Sequence, residues 1–279
     1  MKRYILTGCL LCLFSSLMAQ IDYSDFITSG EFDSYYKVAV RERSAVPYAP
    51  VREADIKYTK RVIRCIDVRQ KKNKPMEWPR SSFSSNLMNA LWEGAIVAYK
   101  NDSLSSFYNN TIFQQRCSYE VNATIAPYDD PDYLIDTTYQ EVMDFNSIKK
   151  VWVMEEWNFN SETSIFTPRI IALAPIYQPK LSAGVAANEQ PLCWIMYDQA
   201  VRDRFARWEL FNPHTDIRLN YDDWFQMRLF DSYIVFENNV FDLYINQFQE
   251  YEDDNIAALL KADEIKNDLF VFEHDLWQF

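Results

Sequence analysis

The sequence predicts an α+β fold, a mainly antiparallel sheet with helices packed on it and a helix-rich C-terminal third. The first observation is a pair of runs, 149–159 and 164–177, that are rich in β-branched and aromatic residues and flank a short polar loop. This is the pattern of a β-hairpin. The second is the apolar run 192–197, which predicts a strand buried on both faces. The third is helical spacing of apolar residues after this run.

The N-terminal region has the features of an exported protein. Lys2 and Arg3 precede an apolar stretch with a small-residue exit, so residues 1–20 are predicted to be a secretory signal peptide. We expect residues 21–52 to form an extended N-terminal arm and residues 53–279 a single globular domain. No later segment reaches the ~18 apolar residues of a membrane helix, so a soluble, exported protein is predicted.

Two elements are predicted between the arm and the hairpin. Residues 56–67 have the composition of a strand, and the basic residues 68–75 follow as a connection. A helix is predicted to begin after Ser84 or Ser85, which are candidate N-caps, and to continue through Lys100. Its apolar stripe is spaced by three and four residues: Leu87, Met88, Leu91, Trp92, Ala95, Ile96 and Tyr99.

The remaining elements are short strands and C-terminal helices. Residues 106–108 and 117–121 are candidates for short strands. Helices are predicted to follow Asp198 as N-cap, to start near Asn220, and to start at Asp254. Another helix is indicated by apolar residues at positions i, i+3, i+4 and i+7, namely Phe241, Tyr244, Ile245 and Phe248.

Charge and cysteine content narrow the possible functions. The net charge is −12, which makes the chain a poor candidate for binding nucleic acid. Outside the signal peptide the cysteines are Cys65, Cys117 and Cys193, an odd number with wide spacing. We expect buried free thiols, with a single disulfide as the alternative.

Residue patterns typical of catalysis or cofactor binding are missing from the sequence. The glycines are too scattered for a phosphate-binding loop, and His214 and His274 have no partner at metal-ligand spacing. No cofactor and no enzymatic activity are therefore predicted.

Glu155 and Glu156 are the one acidic pair that resembles the carboxylates of a glycosidase. Adjacent residues of a strand point to opposite faces, so the two cannot flank one glycosidic bond, which requires carboxyls about 5–10 Å apart. Each could still act with a distant partner. Aromatic residues form 16% of the chain and would suit a glycan platform or a protein interface. The alternative function is therefore a periplasmic glycan-binding protein or glycosidase.

Three blocks in a fixed order resemble the GldN/PorN family of the Bacteroidetes type IX secretion and gliding-motility machinery. The first is RVIRCIDVRQKKNKP at 61–75. The second is VMEEWNF at 153–159 with RIIALAP at 169–175. The third is ADEIKNDLFVFEHDLW at 262–277, and the resemblance covers most of 54–279.

The resemblance implies a periplasmic, non-enzymatic subunit of a secretion machine. Members of the family bind an outer-membrane lipoprotein of the GldK/PorK type and build a ring with it from many copies of themselves. The ring also contacts the inner-membrane-anchored motor component GldM/PorM. The chain is then expected to be held at the outer membrane through its lipoprotein partner.

Two groups of residues are predicted to make contacts. A dense basic segment is either a solvated loop or a site for an acidic surface of a neighbour or of the lipoprotein: Arg61, Arg64, Arg69, Lys71, Lys72 and Lys74. A C-terminal tail is expected to be docked on this subunit or its neighbour, because exposing it would leave a contiguous apolar patch: Leu269, Phe270, Phe272, Leu276, Trp277 and Phe279. Full burial of Trp277 would make its replacement by alanine cost about 3–5 kcal/mol.

Overall fold

The computed structural model describes six stretches of the chain: residues 42–79, 81–125, 135–179, 188–211, 219–252 and 254–276. The predicted signal peptide and residues 21–41 of the predicted arm lie outside these stretches, as do His214, Trp277 and Phe279. Among the residues that are described, those from Arg43 onwards belong to one compact unit.

The described residues form ten strands and five α-helices, together with short 3-10 helices. The strands in chain order are β1 (Ile56–Asp67), β2 (Ser118–Ile125), β3 (Ile135–Val142), β4 (Lys150–Asn160), β5 (Ile165–Tyr177), β6 (Gln190–Pro191), β7 (Ile195–Met196), β8 (Glu209–Leu210), β9 (Leu219–Asn220) and β10 (Tyr233–Glu237). The α-helices are α1 (Phe83–Trp92), α2 (Asn110–Arg116), α3 (Gln199–Arg207), α4 (Tyr221–Gln226) and α5 (Asn255–Asp275). Short 3-10 helices cover Glu53–Asp55, Lys71–Glu77, Phe145–Ser147 and Ile245–Gln247.

A six-stranded antiparallel sheet in the order β10-β1-β4-β5-β6, with β7 also paired to β5, is the centre of the fold. The predicted hairpin is confirmed as β4 and β5, which pair from Lys150 opposite Ile176 to Asn160 opposite Ile165. The predicted strand at 56–67 is confirmed as β1, which pairs with β4 along its length. The α+β class is therefore confirmed.

Both faces of the sheet are covered. On one face Ile66, Val151 and Leu173 pack with apolar side chains of α1, α3 and α4 in the main core. Further along β1 and β4, Val62 and Trp157 pack with α5 instead. The opposite face, with Ile63, Met154 and Ala172, is covered by the segments around residues 99 and 244.

The C-terminal helices begin where their caps predict. The Asp198 carboxylate accepts the Val201 N–H at 2.9 Å at the start of α3, and Asn220 accepts the Asp223 N–H at 2.7 Å at the start of α4. Asp254 caps α5 in the same way. Side-chain acceptors at these positions satisfy N–H groups that the first turn of a helix leaves free.

The predicted helix through Lys100 begins at Phe83, before the candidate caps Ser84 and Ser85, and it is wrong beyond Trp92. Gly94 has φ +73° and its N–H donates to the Leu91 carbonyl at 3.1 Å, while the Ala95 N–H returns to Ala90 at 2.9 Å. A glycine in the left-handed region is the usual terminator of a helix, because it satisfies the last carbonyls without a Cβ clash. Apolar spacing alone continued the predicted helix past this signal.

The predicted helix over Phe241, Tyr244, Ile245 and Phe248 is wrong, and β10 was missed. Only a 3-10 turn at Ile245–Gln247 is helical, and Phe241 is 73% exposed. The Asn239 side chain accepts the N–H groups of Phe241 and Leu243 at 3.1 and 3.2 Å and donates to the Leu243 carbonyl at 2.8 Å. These local bonds satisfy the backbone in a loop conformation that competes with a helix.

The predictions for short strands are met in part. The run 192–197 is a strand only at Ile195–Met196, and Met196 is exposed, so burial on both faces is wrong there. The candidate at 117–121 is confirmed within β2, which pairs with β3. The candidate at 106–108 contributes a single bridge between Phe107 and Tyr99.

Candidate interaction surfaces

Arg64, which was predicted to lie on a basic surface, is instead part of a buried cluster of charged residues. Arg64 is 6% exposed, because β1 lies between β4 and β10 and both faces of the sheet are covered. Its Nε donates to Oε2 of Glu155 at 2.9 Å. The placement of Arg64 on a partner-binding surface is therefore corrected: this side chain is part of the interior.

Glu155 is the centre of this cluster. It is fully buried, and its Oε2 also accepts from Trp157 Nε1 at 3.2 Å and Arg228 Nη2 at 3.1 Å. Its Oε1 lies 2.8 Å from Arg228 Nη1, and this contact does not have the angle of a hydrogen bond. Burial is the largest influence on Arg64 and lowers its pKa, while the charge of Glu155 opposes that shift. The Glu155 carboxylate is thus enclosed by two arginines and an indole and has no exposed side that a substrate could reach.

Glu156, the neighbour of Glu155, lies in a different environment. It is half-buried and pairs with Arg61 at 3.3 Å. This contrast agrees with the expectation that adjacent residues of a strand point to opposite faces of the sheet. Sequence reasoning gave no sign of Arg228, which reaches the cluster from the end of α4 with φ +53°.

Of the other predicted basic residues, Arg61 lies in β1, and the remaining four lie on or just before the 3-10 turn Lys71–Glu77. Lys71, Lys72 and Lys74 are exposed, and Lys74 pairs with Glu77 at 3.1 Å. Lys71 and Lys72 make no ion pair within the part of the chain that the structure describes. Arg69 pairs with Asp67 at 2.6 Å, and its hydrogen bonds are the largest cause that lowers the pKa of Asp67.

Asn73 anchors this turn to the domain. Its side chain is fully buried and donates to the carbonyls of Asp67 at 2.8 Å and Asp231 at 2.9 Å. Its Oδ1 accepts the Asp231 N–H at 2.8 Å. The exposed lysines on either side of Asn73 are thus carried by an anchored 3-10 turn, where the sequence predicted a basic connection over residues 68–75.

The predicted docked tail is the last part of α5. Leu269 is buried, and Phe272 and Leu276 pack against the same cluster with Val62 and Trp157. Phe270 is exposed, so its placement in the dock is corrected: helical geometry turns it away from the face that carries 269, 272 and 276. The two remaining predicted tail residues, Trp277 and Phe279, lie outside the described residues.

The end of the predicted arm docks on α3 and α4. The Ala45 N–H donates to Asp203 at 2.9 Å, and Gln199 donates to the Ala45 carbonyl at 2.8 Å. The Tyr48 hydroxyl accepts from Gln226 at 2.7 Å. Residues 43–52, which the sequence assigned to the arm, thus belong with the domain.

A second buried ion pair supports this dock. Arg202 and Asp222 are both almost fully buried and pair at 3.1 Å, and the Tyr197 hydroxyl donates to Asp222 at 2.6 Å. The Arg202 guanidinium lies 4.2 Å from the centre of the Tyr48 ring. Burial is the largest cause that raises the pKa of Tyr197, and the neighbouring Asp222 charge adds to it.

The β2–β3 hairpin is a further exposed surface. No other strand pairs with it among the described residues, and Tyr119, Tyr139 and Val142 are exposed on it. The stretch 118–148 contains acidic residues and no Lys, Arg or His. An acidic, aromatic hairpin of this kind has open edges that natural proteins often use or protect.

Two buried carboxylates, Glu155 and Asp222, occur in the described stretches, and both are held in ion pairs. Within the same stretches no helix is long and apolar enough to cross a membrane, and no three His, Cys, Asp or Glu side chains are grouped to hold a metal ion. The described residues form an α+β domain whose mostly apolar interior contains the ion pairs of Glu155 and Asp222. Its surface carries several separate charged and apolar patches.

The family comparison agrees with the resemblance found in the sequence. The sequence model of the family described as gliding motility associated protein GldN matches residues 51–278, which is most of the chain. The protein therefore belongs to the GldN family, a structural family of gliding motility and not a known enzyme family. A search of curated proteins gave no match.

Proposed function

We propose that this chain is a non-enzymatic periplasmic subunit of the type IX protein secretion and gliding machinery. In this proposal it forms a ring from many copies together with an outer-membrane lipoprotein of the GldK/PorK type, which holds it at the membrane. The ring also meets a motor component of the GldM/PorM type. The observation that carries the proposal is the GldN match over residues 51–278, which supports a role in gliding motility.

The 3-10 turn with Lys71, Lys72 and Lys74 is the proposed contact for an acidic partner. Its support is the combination of exposed lysines and the buried anchor Asn73, which ties the backbone that carries them to the domain. Exposed charges of this kind steer association and set register more than they add affinity. A ring needs a head-to-tail contact to the next copy and a separate contact to the lipoprotein. The turn can serve either one.

The proposed contact is tested with the double variant Lys71→Glu/Lys72→Glu. Because neither lysine has an ion pair in the described chain, the variant should fold normally and change only the surface charge. We expect it to recover less lipoprotein than wild type when the two proteins are co-produced and purified, with the largest difference at low salt.

A matched control carries the same charge change elsewhere. Lys57 and Lys100 are also exposed, so Lys57→Glu/Lys100→Glu alters the net charge equally. It should recover lipoprotein as wild type does. Equal recovery of lipoprotein by wild type and both double variants would show that the contact does not lie at this turn. Failure of the wild-type chain to recover any lipoprotein would contradict the proposed function itself.

A further inference from the structure

The long helix α5 carries two opposite apolar faces. One face packs against the sheet and includes Ala258, Ala262, Ile265, Leu269, Phe272 and Leu276. The other points away from it and includes Ile256, Leu259, Leu260, Phe270 and Val271, all of which are exposed. A helix that is apolar on both sides is normally covered on both sides.

The exposed face carries one apolar patch near each end of α5. Ile256, Leu260 and Phe270 are 73%, 65% and 67% exposed, respectively. Exposed apolar patches on a soluble domain usually mark a site of association. Some partner is therefore expected to cover this side of α5.

The spacing on this face is that of a coiled-coil seam. Residues 256, 259, 263, 266, 270 and 273 follow each other by three and four, and α5 continues through all of them. The apolar members are Ile256 and Leu259 on one side of the centre and Phe270 on the other, and the last position is Glu273. Asp263 and Lys266, opposite in charge, occupy the centre, are exposed, and make no ion pair within the described residues.

We propose that a second copy of this chain covers the face, with its α5 antiparallel to the first. A two-fold axis midway between Asp263 and Lys266 then places Leu259 of each copy opposite Phe270 of the other, and Ile256 opposite Glu273 at the edge of the contact. It also places Asp263 of each copy opposite Lys266 of the other, twice per dimer. In a parallel pair the like charges would face each other, so the charge order selects the antiparallel arrangement.

This contact is independent of the proposed ring. A two-fold contact uses the same patch on both copies and closes after two, whereas a ring is propagated by different patches. The two contacts therefore differ in symmetry, and the α5 pair can be tested on the purified chain alone. Its outcome does not depend on the lipoprotein.

A charge exchange at the seam tests the geometry. In Asp263→Lys the two central positions of each copy are basic, and in Lys266→Asp they are acidic. Each variant alone should therefore dimerise on the order of tenfold more weakly than wild type. An equimolar mixture should form mixed dimers with an affinity close to wild type, because both central pairs are then of opposite charge. Sedimentation velocity over a range of concentrations measures all four samples.

The apolar ends are tested separately. Phe270→Ser should weaken dimerisation, and Val97→Ser, which removes a comparably exposed apolar side chain outside α5, should not. Neither residue is buried, so both variants should melt as wild type does. A wild-type chain that stays monomeric at all concentrations would overturn the proposal, as would a mixture of the charge variants that associates no better than each one alone.

Discussion

Replacing Glu155 by glutamine separates the structural role of this carboxylate from a catalytic one. The substitution keeps the volume and removes the charge that faces Arg64 and Arg228. The Arg64 side chain is only 7% exposed, so it is left as an unpaired charge in the interior, while Arg228 is 31% exposed and can turn to water. Breaking a buried ion pair in this way costs about 3–5 kcal/mol.

Urea unfolding measures this cost, and Glu156→Gln is the control. Glu156 differs by one position, carries the same group and pairs with Arg61 at the surface, where such pairs contribute less than about 1 kcal/mol. We expect the Glu155 variant to lose several times more free energy of unfolding than the Glu156 variant. Equal losses of free energy of unfolding in the two variants would refute the claim that Glu155 stabilises the fold as part of a buried ion pair. A stable Glu155 variant that loses a measurable hydrolase activity would favour the glycosidase alternative.

Three further predictions concern the fold. Gly94→Ala should lower the free energy of unfolding by about 1–2 kcal/mol, because its φ of +73° is unfavourable for any residue with a Cβ; an unchanged urea midpoint would contradict this. Burial raises the pKa of Cys65 and Cys117 to about 11, so both thiols should resist thiol reagents at pH 8 until the chain unfolds. The free energy of unfolding should fall as the pH rises from about 9 towards 11, because these thiols ionise first in the unfolded chain. The pKa of Asp67 is lowered in the folded chain, so its pairing with Arg69 stabilises the fold at pH values above the ordinary carboxyl pKa. This stabilisation is lost as the pH falls through the pKa of Asp67 in the folded chain. The melting temperature of Asp67→Asn should therefore depend less on acid pH than that of wild type.

Local patterns in the sequence predicted much of the fold. The β4–β5 hairpin, β1 and the N-caps Asp198, Asn220 and Asp254 depend on residues that are close in the chain. The free, buried state of the three cysteines was predicted in the same way. In each case the favoured local conformation is also the one that packs.

The errors arose where a local signal was overlooked or a distant partner decided the outcome. Gly94 and Asn239 are both visible in the sequence and could have ended one helix and prevented another. The burial of Arg64 could not be predicted, because its partner Glu155 lies on another strand, 91 residues later. Charge composition alone placed Arg64 with the exposed lysines.

The surfaces were the least predictable part. The apolar residues at the end of the chain suggested a single docked tail, but α5 divides them between a packed face with Leu269 and an exposed face with Phe270. Hydrophobic spacing shows that a helix has apolar faces, and only the tertiary structure shows which of them is covered.

The central proposal, a ring subunit that is anchored by a lipoprotein, is tested most directly by imaging the assembly. The chain would be co-produced with its GldK/PorK-type lipoprotein, extracted in mild detergent and examined by negative-stain electron microscopy and mass photometry. The proposal predicts large ring-shaped particles that contain both proteins and are absent when either is produced alone. Recovery of the chain only as a monomer or dimer, with the lipoprotein present and folded, would contradict it.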